Sequence, residues 1–193
     1  MNDITIDGGA FRLRPVKVQD AELIVRLRTD PQRSKFIHAT SPDVAKQQAW
    51  LDRTMSREDE WFFIVECIGD GNPEGTICLY HFEGEAKTAN AKSAEWGRWV
   101  LLPGSLAAPE SALLIYRVGF DQLGLREMYC RTEEENQPVV SFHASCGLVD
   151  RGIVNGPNGE VWREQVATVE EWPGIQARIQ RHADMSRRLL SRS

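Results

Sequence analysis

Apolar side chains recur along this chain in two periods, and each change of period marks an element. Over residues 11–16 apolar and polar positions alternate, as on a half-buried strand, and Leu23, Ile24 and Leu27 then recur at helical spacing behind Asp20 and Glu22. Asp30-Pro31 stops that helix. Ser41-Pro42-Asp43 opens another with a capping hydroxyl and a proline in the first turn, and Val44, Leu51 and Met55 mark its buried face. Trp61–Cys67 and residues 75–81 are dense in β-branched and aromatic side chains and flank Gly69-Asp70-Gly71-Asn72-Pro73-Glu74, which predicts a hairpin. A polar loop over 83–92 leads to a strand at 94–101. Pro103 and Gly104 break that strand, and a helix follows over 110–123.

The second half continues in the same way. A strand is predicted at 127–132, a helix at Gln137–Cys146 closed by Gly147, and a strand at 148–154. Asn155-Gly156-Pro157-Asn158-Gly159 is a hairpin turn, returning a strand over 160–169 and a final helix over 170–190. The order β-α-α-β-β-β-α-β-α-β-β-α places the chain in the α/β class, in the α+β sense of a mixed sheet covered by helices. One domain is expected over 1–193, with 170–193 as a helical extension.

With 193 residues, 41% hydrophobic and 26% charged, the chain can bury a core without metal or disulfides. Net charge is −5, and the basic residues are scattered except for Arg178, Arg181, Arg187, Arg188 and Arg192, the solvated face of the last helix. No nucleic-acid partner is expected. No segment approaches the roughly 20 apolar residues of a membrane span, and Met1-Asn2-Asp3-Ile4 does not begin a secretory signal. The expectation is a cytoplasmic protein without membrane contact. Cys67, Cys78, Cys130 and Cys146 are read as reduced packing residues, and His38, His81, His143 and His182 lack metal-ligand spacing, so no metal is expected. The GxxxxGK[ST] pattern of a P-loop is missing.

Three stretches carry candidate chemistry. They are the strand Ala94-Glu95-Trp96-Gly97-Arg98-Trp99-Val100-Leu101, the turn Pro103-Gly104-Ser105-Leu106-Ala107-Ala108-Pro109-Glu110-Ser111, and the run Asn136-Gln137-Pro138-Val139-Val140-Ser141-Phe142-His143-Ala144-Ser145-Cys146-Gly147-Leu148. The turn opens a helix, where unsatisfied backbone N–H groups and the helix dipole favour an anion. In order and spacing the three resemble the GCN5-related N-acetyltransferase superfamily over residues 11–172. That resemblance implies its mostly antiparallel mixed sheet flanked by helices, with acetyl-CoA as cosubstrate.

On the resemblance, backbone groups of Val100, Leu101 and Leu102 receive the pantetheine arm. Gly104, Ser105, Ala107, Ala108 and Ser111 receive the pyrophosphate, and Asn136 binds a pantetheine amide. Pro103 and Leu106 depart from the family's phosphate motif, which has Arg or Gln and Gly there. His143 stands where relatives carry a tyrosine near the CoA sulfur; it serves either as the general acid or as a ligand of the thioester. Glu95 is the candidate proton acceptor, with His38 and His81 behind it, or else a hydrogen-bonded strand carboxylate.

For the acceptor, Arg28-Thr29-Asp30-Pro31, Gln48-Ala49-Trp50-Leu51, Glu60-Trp61-Phe62-Phe63-Ile64-Val65, Ser93-Ala94-Glu95-Trp96-Gly97 and Ala167-Thr168-Val169-Glu170-Glu171-Trp172 resemble one branch. Its members acetylate 4-amino-4,6-dideoxy nucleotide sugars, as in the pseudaminic acid pathway. A small-molecule amine is therefore the expected partner. Phe36, Tyr80, His81 and Trp99, with His38, would line the acceptor pocket, and Arg28 or Lys35 would meet a diphosphate. Trp50 and Trp61 are read as core. A ribosomal or other protein N-terminal acetyltransferase and a non-catalytic acyl-CoA sensor are the alternatives, and a homodimer is compatible with the fold.

Overall fold

A computed structural model describes residues 3–31, 34–37, 40–84 and 92–191. Its strands are β1 (Ile6–Asp7), β2 (Phe11–Pro15), β3 (Trp61–Cys67), β4 (Pro73–Glu83), β5 (Ser93–Leu101), β6 (Glu127–Glu133), β7 (Val149–Asn155) and β8 (Val161–Thr168). They form one eight-stranded sheet in the order β1-β2-β3-β4-β5-β6-β8-β7. Every neighbouring pair is antiparallel except β5 and β6, which run parallel. A parallel pair needs a crossover, and the helix between these two supplies it.

The helices are α1 (Ala21–Thr29), α2 (Val44–Met55), α3 (Ala108–Arg117), α4 (Gln137–Cys146) and α5 (Trp172–Leu190). They cover both faces of the sheet, so its central strands are apolar on both sides. On β3, Trp61, Phe63 and Val65 pack into a core shared with α3 and α5, while Phe62 and Ile64 pack into a second core with Leu23, Ile24 and Leu27 of α1 and Leu51 of α2. This is why the stretch 61–65 reads as a continuous apolar run rather than an alternation. Each such side chain contributes about 1.5–3 kcal/mol by leaving water.

The mixed, mostly antiparallel sheet flanked by helices agrees with the sequence reading, and several boundaries differ. The two-residue β1 is too short to show a period. Helix α2 starts at Val44, capped by the Asp43 carboxylate, which accepts from the Ala45 and Lys46 N–H groups. Helix α3 begins at Ala108 rather than 110, with Pro109 in its first turn, and ends in a π-helical turn over Val118–Gln122. At Gly119 a Cβ would meet the Met128 sulfur of β6, so this turn lies close against the sheet and a larger residue would displace the Met128 side chain. Trp61 is buried, whereas Trp50 is only partly so and packs at the edge of the second core. Among the described residues no helix is long and apolar enough to cross a membrane.

Candidate active site

Strands β5 and β6 pair only over Ser93–Glu95 and Glu127–Tyr129, and beyond Glu95 they part: β5 continues along β4, and β6 along β8. A gap therefore opens in the middle of the sheet. The Leu102 N–H is taken by the Glu74 carbonyl at 2.8 Å on the β4 side. In an extended strand the backbone groups of Leu101 then face the gap.

The chain bulges twice beside this gap. Tyr80 lies opposite Glu95 and Glu83 opposite Ser93, so β4 carries one extra residue at His81; Cys78 lies opposite Gly97 and Thr76 opposite Val100, so β5 carries one extra residue near Arg98. His81 has φ 52° and Arg98 has φ 48°, and among the described residues no other non-glycine residue has a positive φ. Each costs of order 1–3 kcal/mol, which the sheet must over-determine. Both line the same cavity, of about 390 Å³.

That cavity gathers residues from six elements and the α1–α2 connection. Arg28, Phe36, Tyr80, His81, Glu95, Trp99, Asn136 and His143 all line it, as do Arg98, Arg131, Glu133 and Trp162, which the sequence did not single out. Of the expected acceptor residues only His38 lies outside the described residues. Val100, Leu101, Leu102 and the 104–111 turn lie away from this lining, along the strand's far end and the start of α3.

Glu95 sits at the cavity floor, 6% exposed. Its carboxylate accepts from the Tyr80 hydroxyl at 3.1 Å and the Arg131 guanidinium at 3.5 Å, and lies 3.0 Å from Nδ1 of His81. Burial pushes the Tyr80 phenol well above its usual value, so this hydroxyl stays a donor. Arg131 is also held by Glu164 at 3.0 Å. Both sequence readings of Glu95 thus have a counterpart: it is hydrogen-bonded in the strand, and it lies at the cavity floor.

Arg98 is fixed by a salt bridge to the buried Glu60. Its guanidinium lies over the rings of Tyr80 at 4.9 Å, Trp50 at 5.2 Å and Phe62 at 5.8 Å. Arg28 donates from Nε to the Thr40 hydroxyl at 2.6 Å. Burial, then the nearby Arg98 charge, lowers the Arg28 pKa. Both arginines also line a second cavity, of about 260 Å³. The two guanidiniums are near enough for the Arg98 charge to bear on Arg28, while Arg98 keeps Glu60 as its own anion.

His143 is 2% exposed on α4, edge-on to Trp96 at 5.1 Å and inclined to Trp99 at 6.0 Å. Its Nδ1 is buried and has no hydrogen-bond partner. Burial pushes its pKa down to about 3, so the ring is neutral at physiological pH. A neutral ring offers one N–H, which suits either reading of His143, as proton donor to the sulfur or as a ligand of the thioester. Gly147, at φ 91°, ends α4 and lets the Leu148 N–H return to the His143 carbonyl, fixing the turn that carries the ring. Asn136 precedes α4, and its side chain makes no capping hydrogen bond.

The 103–111 turn departs from expectation at Ser111. That residue is fully buried, its hydroxyl accepts the Trp99 indole N–H at 3.0 Å and donates to the Ala108 carbonyl at 3.0 Å. It braces the cavity wall instead of offering a hydroxyl to a phosphate. The Ala107 N–H, in turn, goes to the Ser105 hydroxyl at 3.2 Å. Gly104 has φ 78° with open space around it, and Ala108 opens α3, where N–H groups lack intrahelical partners. Among the described residues no cluster of three or more metal-ligating side chains occurs.

Comparisons with known proteins bear on the fold and the family. Residues 11–149 match the family model described as Acetyltransferase (GNAT) domain. Among solved structures, apo FdhC, described as a nucleotide-linked sugar GNAT, superposes with a TM-score of 0.79 at 27% identity, covering 94% of this chain and 99% of its own. A GCN5-related N-acetyltransferase from Brucella melitensis gives 0.77 at 21% identity, covering 92% and 84%. A point mutant of the SpeG spermidine N-acetyltransferase from Vibrio cholerae gives 0.70 at 18% identity, covering 86% and 98%. A search of curated protein sequences finds no match. The family match spans most of the chain, and the chain belongs to the GNAT acetyltransferases, as an N-acetyltransferase.

Proposed function

We propose that this enzyme transfers the acetyl group of acetyl-CoA directly to the 4-amino group of a nucleotide-linked amino-deoxy sugar. The observation that carries this reading is the pairing of two guanidiniums, Arg28 and Arg98, with aromatic walls from Phe36, Tyr80 and Trp99 in one cavity. Aromatic faces suit a base or a deoxysugar methyl, and guanidiniums suit a diphosphate. The likeness to FdhC supports the same acceptor class.

The residues present fit acetyl-CoA, which supplies the activated acetyl thioester. Leu101 backbone groups face the gap between β5 and β6, Asn136 and His143 line the cavity, and the turn around Gly104, Ser105 and Ala108 precedes a helix N-terminus. Val100, Leu101 and Asn136 hold the pantetheine arm in this reading, and His143 donates its single N–H toward the departing sulfur. The acceptor ammonium must lose a proton before its nitrogen attacks, and the negative charge of Glu95, hydrogen-bonded at the cavity, favours that loss.

The test is thiol release from acetyl-CoA with a nucleotide-linked 4-amino-4,6-dideoxy sugar, spermidine and a peptide N-terminus as acceptors. Turnover of the sugar with product heavier by one acetyl group supports the reading. Turnover confined to spermidine or the peptide overturns it.

A further inference from the structure

Glu95 is poorly placed to receive a proton itself. Its side chain is 8% exposed and already accepts from Tyr80, His81 and Arg131. His81 is the reverse: its side chain is 68% exposed, and it lines the cavity. A carboxylate only accepts, so the 3.0 Å contact calls for a proton on Nδ1, and in the neutral ring this leaves the Nε2 lone pair to accept. The ring packs edge-on against Tyr80 at 4.7 Å, which fixes its plane.

The backbone points the same way. The extra residue in β4 and the left-handed φ of 52° at His81 turn this side chain to the cavity, at a cost the strand would avoid by simple alternation. The charged and titratable groups around it are Glu95 of β5, Tyr80 of β4, Arg131 of β6 and Asp59 in the loop before β3.

We infer that His81 is the proton acceptor of the reaction and that Glu95 is its positioning residue, holding the Nδ1–H tautomer and offsetting the charge that forms on the ring. One proton leaves the acceptor ammonium for His81 Nε2, giving a neutral amine and an imidazolium. The nitrogen lone pair then forms the C–N bond as the C–S bond breaks and its electron pair departs on sulfur beside the His143 N–H. The second amine proton goes to that sulfur, giving the free thiol, and His81 returns its proton to solvent. Atoms and charge balance without a further reactant.

The inference rests on amine acetylation at this cavity and not on the sugar. Its assay therefore uses whichever amine of the three-acceptor panel the wild type turns over fastest. His81→Gly suits the left-handed backbone, so folding is preserved, and kcat/KM falls by about a hundredfold or more, the usual contribution of a general base. Added imidazole restores about tenfold of that loss in His81→Gly and nothing in Glu95→Gln. His81→Gln shows the same loss without rescue, and acetyl-CoA affinity by calorimetry is unchanged in all three.

A second readout needs no acceptor or cofactor. Proton–nitrogen correlation spectra of the free protein show the neutral His81 ring as the Nδ1–H tautomer. An Nε2–H tautomer, a His81→Gly enzyme within about threefold of wild type, or a loss that imidazole does not repair each overturns the assignment. Failure of the sugar alone leaves these readouts intact and refutes only the acceptor.

Discussion

Trp99 of β5 donates its indole N–H to the Ser111 hydroxyl of α3 at 3.0 Å, tying the cavity wall to the turn expected to hold the cofactor's phosphates. Because Ser111 is fully buried, this is a strut between two halves of the site. Ser111→Ala breaks it. The expected outcome is a loss of about 1–2 kcal/mol in stability, from an indole N–H left unpaired. Calorimetry is expected to show acetyl-CoA affinity near that of the wild type. A tenfold or larger drop in affinity, about 1.4 kcal/mol, at unchanged stability would instead mean that Ser111 touches the phosphates.

His143 makes stability depend on pH. Its native pKa, pushed down to about 3 by burial, lies below the unfolded value of about 6.5. The unfolded chain therefore binds a proton that the native ring refuses. This group's contribution is intact above about pH 6.5 and is lost as pH falls toward 3, by up to ~1.4 kcal/mol per unit. Denaturant melts at neutral pH and at pH 5 are expected to show a shallower acid loss in His143→Gln than in the wild type. Equal slopes would contradict a buried neutral ring.

The buried Glu60 pairs with the half-buried Arg98, their side chains 6% and 29% exposed. Removing Arg98 leaves Glu60 with the 3.9 Å contact to Arg57 as its ion pair, and removing the Glu60 charge leaves Arg98 part-solvated, so Glu60→Gln or Arg98→Ala is expected to cost about 1–3 kcal/mol. The double variant should cost less than the sum of the two. Chemical denaturation reads all three, and strict additivity would mean that the pair is not coupled.

Glu110, 3% exposed in the first turn of α3, accepts from the Gly9 and Ala10 N–H groups and anchors the turn between β1 and β2. Glu110→Ala leaves both donors without it, and a loss of about 1–3 kcal/mol in stability is expected. Hydrogen exchange should localise the loosening to residues 6–12. Unchanged protection there would refute the anchor.

Much of the frame was legible because it is local. Asn155-Gly156 and the turn around Gly71 announce hairpins by chemistry within a few residues, and the spacing of Asn136, His143 and Gly147 follows from one short helix and its αL cap. Glu95 and Tyr80 were also legible, as strand residues beside the splay. The Glu95–His81 hydrogen bond was not: a single bulge residue in β4 sets it, and alternation does not record an insertion. Arg98 escaped for the same reason, and its partner Glu60 lies 38 residues away. Ser111 looked like a phosphate donor because its hydroxyl follows a loop, whereas the indole that claims it comes from another element.

The central claim is tested most directly by comparing kcat/KM for a nucleotide-linked 4-amino-4,6-dideoxy sugar with that for the same amino sugar lacking its nucleotide, at saturating acetyl-CoA. The Arg28–Arg98 pair predicts a preference for the nucleotide-linked form of about ten- to a hundredfold, the worth of one charge-assisted hydrogen bond of about 1.5–3 kcal/mol. That preference should vanish in Arg28→Ala. Equal turnover of the two sugars by the wild type would contradict the acceptor assignment and leave an N-acetyltransferase for some other amine.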